Sequence, residues 1–278
     1  MVRSRLRLSL TRLVALLVDG YGSAQKWHLR KQEIIQNHPM YDRILTRSDL
    51  SHMAHVTKVA WQQYKTAAHC GRFAYLIQGE EDISALESAA WTQRSDVFAL
   101  TFRSRRRDAL FFPNSLLAEG RNMLVGAAVI EEQRKGKPYM YYVFADGDVL
   151  AKPSWDHALP RFESFLREWE PAVGLPSLGA PSTALGPESV FNFDHIFVAV
   201  HVEAASSLLP YHASLDNSCA WTSQWYFTLL ASALFRHHVL VFHSVVVSNP
   251  SHSSYPKDDC LPHMTSVSNS LRSIASAG

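Results

Sequence analysis

Nowhere does this sequence carry an apolar run of the length a membrane-spanning helix needs, about 20 residues. The run at 13–18 stops after Leu-Val-Ala-Leu-Leu-Val, and no transmembrane segment is read anywhere else. Cysteine is scarce too. Cys70, Cys219 and Cys260 are odd in number and far apart, so no disulfide framework or zinc spacing follows, and each reads as a buried thiol. Neither sign of charge is in large excess; the net +2 implies no nucleic-acid partner. There is no internal repeat. What remains is an ordinary globular composition, 47% hydrophobic and 19% charged over 278 residues, enough for one substantial core. The first eighteen residues hold Arg3, Arg5, Arg7 and Arg12 and no acid, the look of a transit peptide or a basic flank. The short run behind them reads instead as a first core strand, closed by Asp19-Gly20.

Beyond that point short apolar runs alternate with longer mixed segments. Strands are expected at 73–77, 97–102 and 139–145, and helices at 25–37, 53–69, 83–92 and 119–133. This rhythm predicts an α/β domain with a mostly parallel central sheet and helices on both faces. Ligands in such sheets sit beyond the carboxyl ends of the strands. The segment 171–187, rich in proline and glycine, reads as a loop or linker. A strand at 192–201, an aromatic helix at 221–235 and a strand at 239–247 follow. The Ser-rich tail at 257–278 lacks apolar periodicity and reads as disordered.

The apolar strand at 139–145 runs directly into Asp146-Gly147-Asp148. Two carboxylates flanking a glycine at a strand end can face one hard cation through oxygen ligands, which suits Mg2+ or Mn2+. No further acid follows at the spacing of a calcium loop. Upstream, Glu119-Gly120-Arg121-Asn122 opens the helix that feeds this strand. Glycine allows close backbone approach, and helix-start amides with an arginine form a place for phosphate. Read singly, it is an ordinary helix start with a solvated arginine. Asp216 stands before the aromatic helix, as a general base or, with Asn217 and Ser218, as its N-cap. The four arginines in 103–107 read as a solvated basic turn. Trp221, Trp225 and Tyr226 could stack on a sugar, although such a stripe more often faces a core.

Taken together, Gly120-Arg121-Asn122, the helix with Gly126-Ala127-Ala128, the apolar strand and Asp146-x-Asp148 resemble the donor-binding half of GT-A glycosyltransferases. The resemblance runs from about Phe73 to Pro256 and is clearest over Phe111 to Val149. It implies one catalytic domain over 1–256, with a donor-binding half at 13–150 and an acceptor-side half at 188–256. It implies a nucleotide diphosphate sugar as donor, a hydroxyl acceptor (glycan, protein or lipid), and Mn2+ or Mg2+ held by Asp146, Asp148 and a late histidine, His252. Gly120, Arg121 and Asn122 would contact the diphosphate, and Asp216 would act as base in an inverting reaction. A Golgi-lumen location goes with the family. The sequence departs from the pattern where Leu215-Asp216 replaces the usual Glu-Asp pair and Val202 stands at an expected basic position. Two other readings compete: a nucleotidyltransferase, of whose basic glycine loop Asp19-Gly20-Tyr21-Gly22-Ser23 is a faint echo, and a degenerate GT-A domain that binds a glycan or partner without turnover.

Overall fold

A computed structural model describes residues 32–41, 43–64, 71–81, 84–92, 95–179, 186–217, 219, 221–250, 260 and 262–269. The expected first strand at 13–18 and helical residues 25–31 lie outside these. Strands β1 (Phe73–Gly79), β2 (Asp96–Thr101) and β4 (Tyr141–Asp146) are apolar almost throughout and buried nearly end to end, which a strand covered on both faces requires. They pair in parallel, with the short β3 (Leu110–Phe111) on the outer edge. Successive residues of β4 show the two helical layers. Tyr142 points toward α1 (Arg47–Tyr64) and α3 (Leu117–Lys135), where its hydroxyl donates to Glu132 and accepts from Trp61. Tyr141 points the other way, its hydroxyl donating to the carbonyl of Pro171 just past α4 (Trp155–Trp169). On the first face α1 and α3 approach closely at Gly126, where a Cβ would lie 2.7 Å from that of Met53. On the second, α4 packs beside α2 (Ser84–Thr92).

The sheet is mixed rather than mostly parallel, which corrects the expectation from sequence. Among the described residues its order is β3-β2-β1-β4-β8-β6-β9-β5, with β5 (Leu150–Lys152), β6 (Val173–Leu178), β8 (Phe197–His201) and β9 (Val239–Ser248), and β7 (Glu188–Ser189) also on β9. Strand β8 runs antiparallel to both β4 and β6 and leads into the short α5 (Val202–Leu208), while β6 and β9 are parallel. The cause is the connection. No helix separates β6 from β8 among the described residues, and without a crossover helix neighbouring strands run in opposite senses. Sequence reading took 171–187 for a linker because Gly174, Pro176 and Gly179 punctuate it. The sheet admits Pro176 through a shift of register between Pro176 and Ser177. Helix α4 is a further departure from the expected elements, although its buried Trp155, Ala158, Leu159, Phe162, Phe165 and Leu166 follow helical spacing. No described helix is long and apolar enough to cross a membrane.

Two further expectations change. Cys219 and Cys260 form a disulfide across 41 positions instead of remaining thiols; Cys70 lies outside the described residues. Part of the tail is ordered, because residues 262–269 form a helix just beyond that bridge.

Candidate functional site

The reversal at β8 brings five strand ends to one edge. The carboxyl ends of β1, β4, β6 and β9 meet the amino end of β8, and the Asp146 amide donates to the Ile196 carbonyl at 2.9 Å. A cleft of about 1060 Å³ opens there. Its floor is Gln78-Gly79, Asp146-Gly147-Asp148 and Ile196; residues 115–117, at the start of α3, form one wall. Another part of the wall comes from α6 (Thr222–Leu234) with Trp221 before it, together with Met264 from the C-terminal helix.

Both acids of the Asp-x-Asp pair line this cleft. Arg121, expected to reach a diphosphate, lies behind the floor. It is 1% exposed and absent from the cleft lining. Its Nη2 donates to Asp146 Oδ1 at 2.9 Å and to the His195 carbonyl at 2.6 Å, and Nη1 donates to the Tyr211 hydroxyl at 3.2 Å. The guanidinium also sits between the Phe144 and Tyr211 rings, 5.7 and 5.5 Å from their centroids. Burial pushes the Asp146 carboxyl up and Arg121 pulls it down; with Asp148 and Asp194 adding repulsion, it comes to about 6. Asp148 is exposed, and its Oδ1 accepts from the Asn249 side chain at 2.9 Å.

Asn122 likewise turns inward. Its side chain donates to the Tyr211 carbonyl at 2.8 Å and accepts from the Tyr211 amide at 2.7 Å, clasping that residue from both sides. Gly120 is already within α3, with its amide on the Leu116 carbonyl. A Cβ there would fall 2.3 Å from Gln78 Nε2, so glycine keeps room for the Gln78 side chain. The expected phosphate cradle is instead a brace for the floor: α3 starts at Leu117, so the amides that its first turn leaves without helical partners lie before Gly120.

Asp216 is buried and absent from the cleft lining. Its Oδ2 accepts from the Ala118 amide at 2.8 Å. Leu116 at the N-cap position of α3 has no side-chain acceptor, so a residue 98 positions away supplies one. The cap expected on the aromatic helix is not formed there, where Trp221 stands at the N-cap position; Asp216 caps α3 instead. Burial pushes the Asp216 carboxyl up, against the Ser223 hydroxyl and the Ala118 amide. His252 lies outside the described residues.

Other cleft residues carried too little sequence signal to be singled out. Gln78 and Glu80 lie at the end of a strand whose apolar run drew the attention, and Asn192 and Asp194 fall in a segment read as strand. His195 bonds Thr228 Oγ1 at 2.9 Å and Tyr211 at 3.3 Å; burial and then Arg121 hold its pKa well below the ordinary value. The described lining holds five carboxylates (Glu80, Glu81, Asp146, Asp148, Asp194) and no lysine or arginine, although Asp146 pairs with Arg121 behind the floor and Glu80 with Arg103 outside the lining.

Fold and cleft together define a mixed α/β domain with an acidic cleft at its strand ends. No protein-family model matches the chain, and no curated protein matches it. Solved structures similar to it include S. aureus TarS 1-349, at 14% identity and TM-score 0.45, covering 70% of this chain and 64% of that one. The same protein in complex with UDP aligns at 11% identity and TM-score 0.44, and in complex with UDP-GlcNAc at 12% and 0.43, over 64% and 65% of its length. The chain thus spans less than two thirds of those proteins. Likeness of this degree does not carry an activity with it.

Proposed function

We propose that this chain transfers a sugar from a nucleotide diphosphate sugar to a hydroxyl acceptor, with a divalent cation in the acidic cleft. The observation that carries the reading is the pairing of Asp146 and Asp148 at the strand ends, in a cleft whose described lining offers an anion no lysine or arginine. A diphosphate beside this acidic floor, where Asp148 and Asp194 have no arginine or lysine partner among the described ion pairs, needs a cation between. Mg2+ and Mn2+ accept this arrangement, one or two carboxylates with phosphate oxygens and water completing the shell. Among the described residues no three His, Cys, Asp or Glu side chains converge as a metal site of their own. The protein would therefore supply Asp146, Asp148 and, beyond the described residues, His252.

When bound, the cation would act as a Lewis acid on the departing diphosphate. Arg121 would keep Asp146 ionised and aimed at the cleft, and Asn122 would hold Tyr211 beneath it. With Asp216 committed to α3, proton removal from the acceptor in an inverting reaction would fall to a carboxylate that faces the cleft. We assign it to Asp194, which is exposed there. The Cys219–Cys260 disulfide supports an oxidising compartment such as the secretory lumen.

Calorimetric titration of UDP and GDP, with and without Mn2+, tests the reading. Manganese should raise nucleotide affinity about tenfold or more in wild type and leave it unchanged in Asp148→Asn. Equal enhancement in both proteins would remove the metal assignment. Nucleotide binding without turnover of any nucleotide sugar would favour a non-catalytic binding domain.

A further inference from the structure

We infer that the cleft wall formed by the face of α6 that carries Trp221, Gln224, Trp225 and Thr228 is a carbohydrate acceptor subsite. The inference rests on the transferase reading and names its acceptor class. These four residues stand at i, i+3, i+4 and i+7, one stripe of a helix, and all four line the cleft. The same helix buries Phe227 and Ala231 in the core, so the tryptophans are not its core face. Both are part-exposed.

Their setting is fixed from behind. Trp225 Nε1 donates to Ser268 Oγ at 3.0 Å. With its one polar atom engaged there, the indole has only ring carbon to offer a ligand. Ser268 belongs to the helix at 262–269, which also brings Met264 into the cleft wall. The Cys219–Cys260 bridge ties the start of that helix to the residues just before Trp221. A covalent tether and a hydrogen bond thus hold Trp225 against the C-terminal helix, with Trp221 beside the bridge in the same cleft wall. Such fixed aromatic surfaces gain affinity by removing the cost of ordering.

The chemistry of the lining selects the occupant. A pyranose has an apolar face of C–H groups and a rim of hydroxyls, and it fits flat rings edged with planar polar groups. Gln224, Asn192, Asp194 and Asn249 supply that edge. A lipid chain would need a continuous apolar channel, which these polar residues interrupt. With the acceptor ring on the tryptophans, its hydroxyl oxygen bonds the anomeric carbon of the donor. The bond from that carbon to the phosphate oxygen breaks, the diphosphate leaves with the electron pair, and the hydroxyl proton passes to a cleft carboxylate.

The experiment uses the full chain with UDP and Mn2+, screened on immobilised oligosaccharides and on Ser/Thr peptides, with UDP affinity measured separately. Wild type should bind a set of glycans and no peptide. Trp221→Ala and Trp225→Ala should each weaken glycan binding by about tenfold or more while UDP affinity stays within about twofold. Cys260→Ser, which frees the C-terminal helix and keeps both rings, should weaken it by less. Should an alanine variant fail to fold, shielding of wild-type indole fluorescence from acrylamide by the bound glycan gives the same reading. UDP binding with no glycan bound, peptides bound instead, or glycan binding untouched by either alanine overturns the subsite and leaves the donor assignment standing. Loss of UDP binding in wild type overturns the transferase reading itself.

Discussion

Arg121 Nη2 lies 2.9 Å from Asp146 Oδ1, the arginine enclosed in the core and the aspartate with about a quarter of its side chain exposed to the cleft. The cationic side of the pair is thus hidden and the anionic side shown. Arg121 cannot offer charge to a ligand without abandoning Asp146, Tyr211 and the His195 carbonyl. Its place in the chemistry is to hold a carboxylate.

Replacing Arg121 by Met should therefore destabilise the fold by about 3 kcal/mol, near the lower end for a broken buried pair because Asp146 is partly solvated. The Arg121→Met, Asp146→Asn double variant should recover part of that loss, since no uncompensated charge then remains. Urea unfolding of the four proteins in this cycle measures the coupling. Additive losses would mean the two residues act independently.

Asp216 offers a sharp separation of capping from catalysis. Asparagine keeps an oxygen for the Ala118 amide, so Asp216→Asn should unfold at close to the wild-type urea concentration and retain nucleotide binding and transfer. Asp216→Ala leaves that amide without its acceptor and should cost about 1–2 kcal/mol. A collapse of transfer rate in the asparagine variant, with stability intact, would return the base to Asp216.

Glu132 predicts how stability changes with pH. Its Oε1 accepts from the Tyr139 amide at 2.8 Å and the Tyr142 hydroxyl at 2.6 Å, deep beneath α3. Burial pushes this carboxyl from 4.5 up to about 7, against those two hydrogen bonds. Between these values the folded chain keeps a proton that the unfolded chain releases. Stability from this group is full below the lower value and is lost as pH rises through the upper one, by about 3 kcal/mol at most. The difference in urea midpoint between wild type and Glu132→Gln should shift in favour of the variant from about pH 5 to about pH 8. A constant difference across that range would mean Glu132 does not titrate there.

Much of the fold was legible because burial leaves a simple pattern. The runs at 73–77 and 139–145 are too apolar for anything but covered strands, and they became β1 and β4. Strand direction leaves no such trace, and the antiparallel entry of β8 depends on what lies between it and β6. Asp146 and Asp148 were found because an acid after an apolar strand stands out. The meaning of Arg121 was misread because sequence gives the charge and not the side of the sheet that receives it. Cys219 and Cys260 show the same limit: spacing over 41 positions says nothing until folding brings the two together.

The floor of the cleft is closed by partners far along the chain. Ala118 finds Asp216 across 98 positions, Asn122 finds Tyr211 across 89, and Arg121 reaches the His195 carbonyl across 74. During synthesis the helix and strand that bear Arg121 and Asp146 emerge well before these partners exist. The first half of the chain therefore carries a helix whose Ala118 amide lacks its acceptor and an arginine short of two, and contacts so distant are slow to form. A fragment ending at residue 169 contains the whole acidic motif and should still be cut rapidly by protease, whereas the full chain resists. Nucleotide binding would then arise only at the last stage of folding, so that a chain released early has no working half.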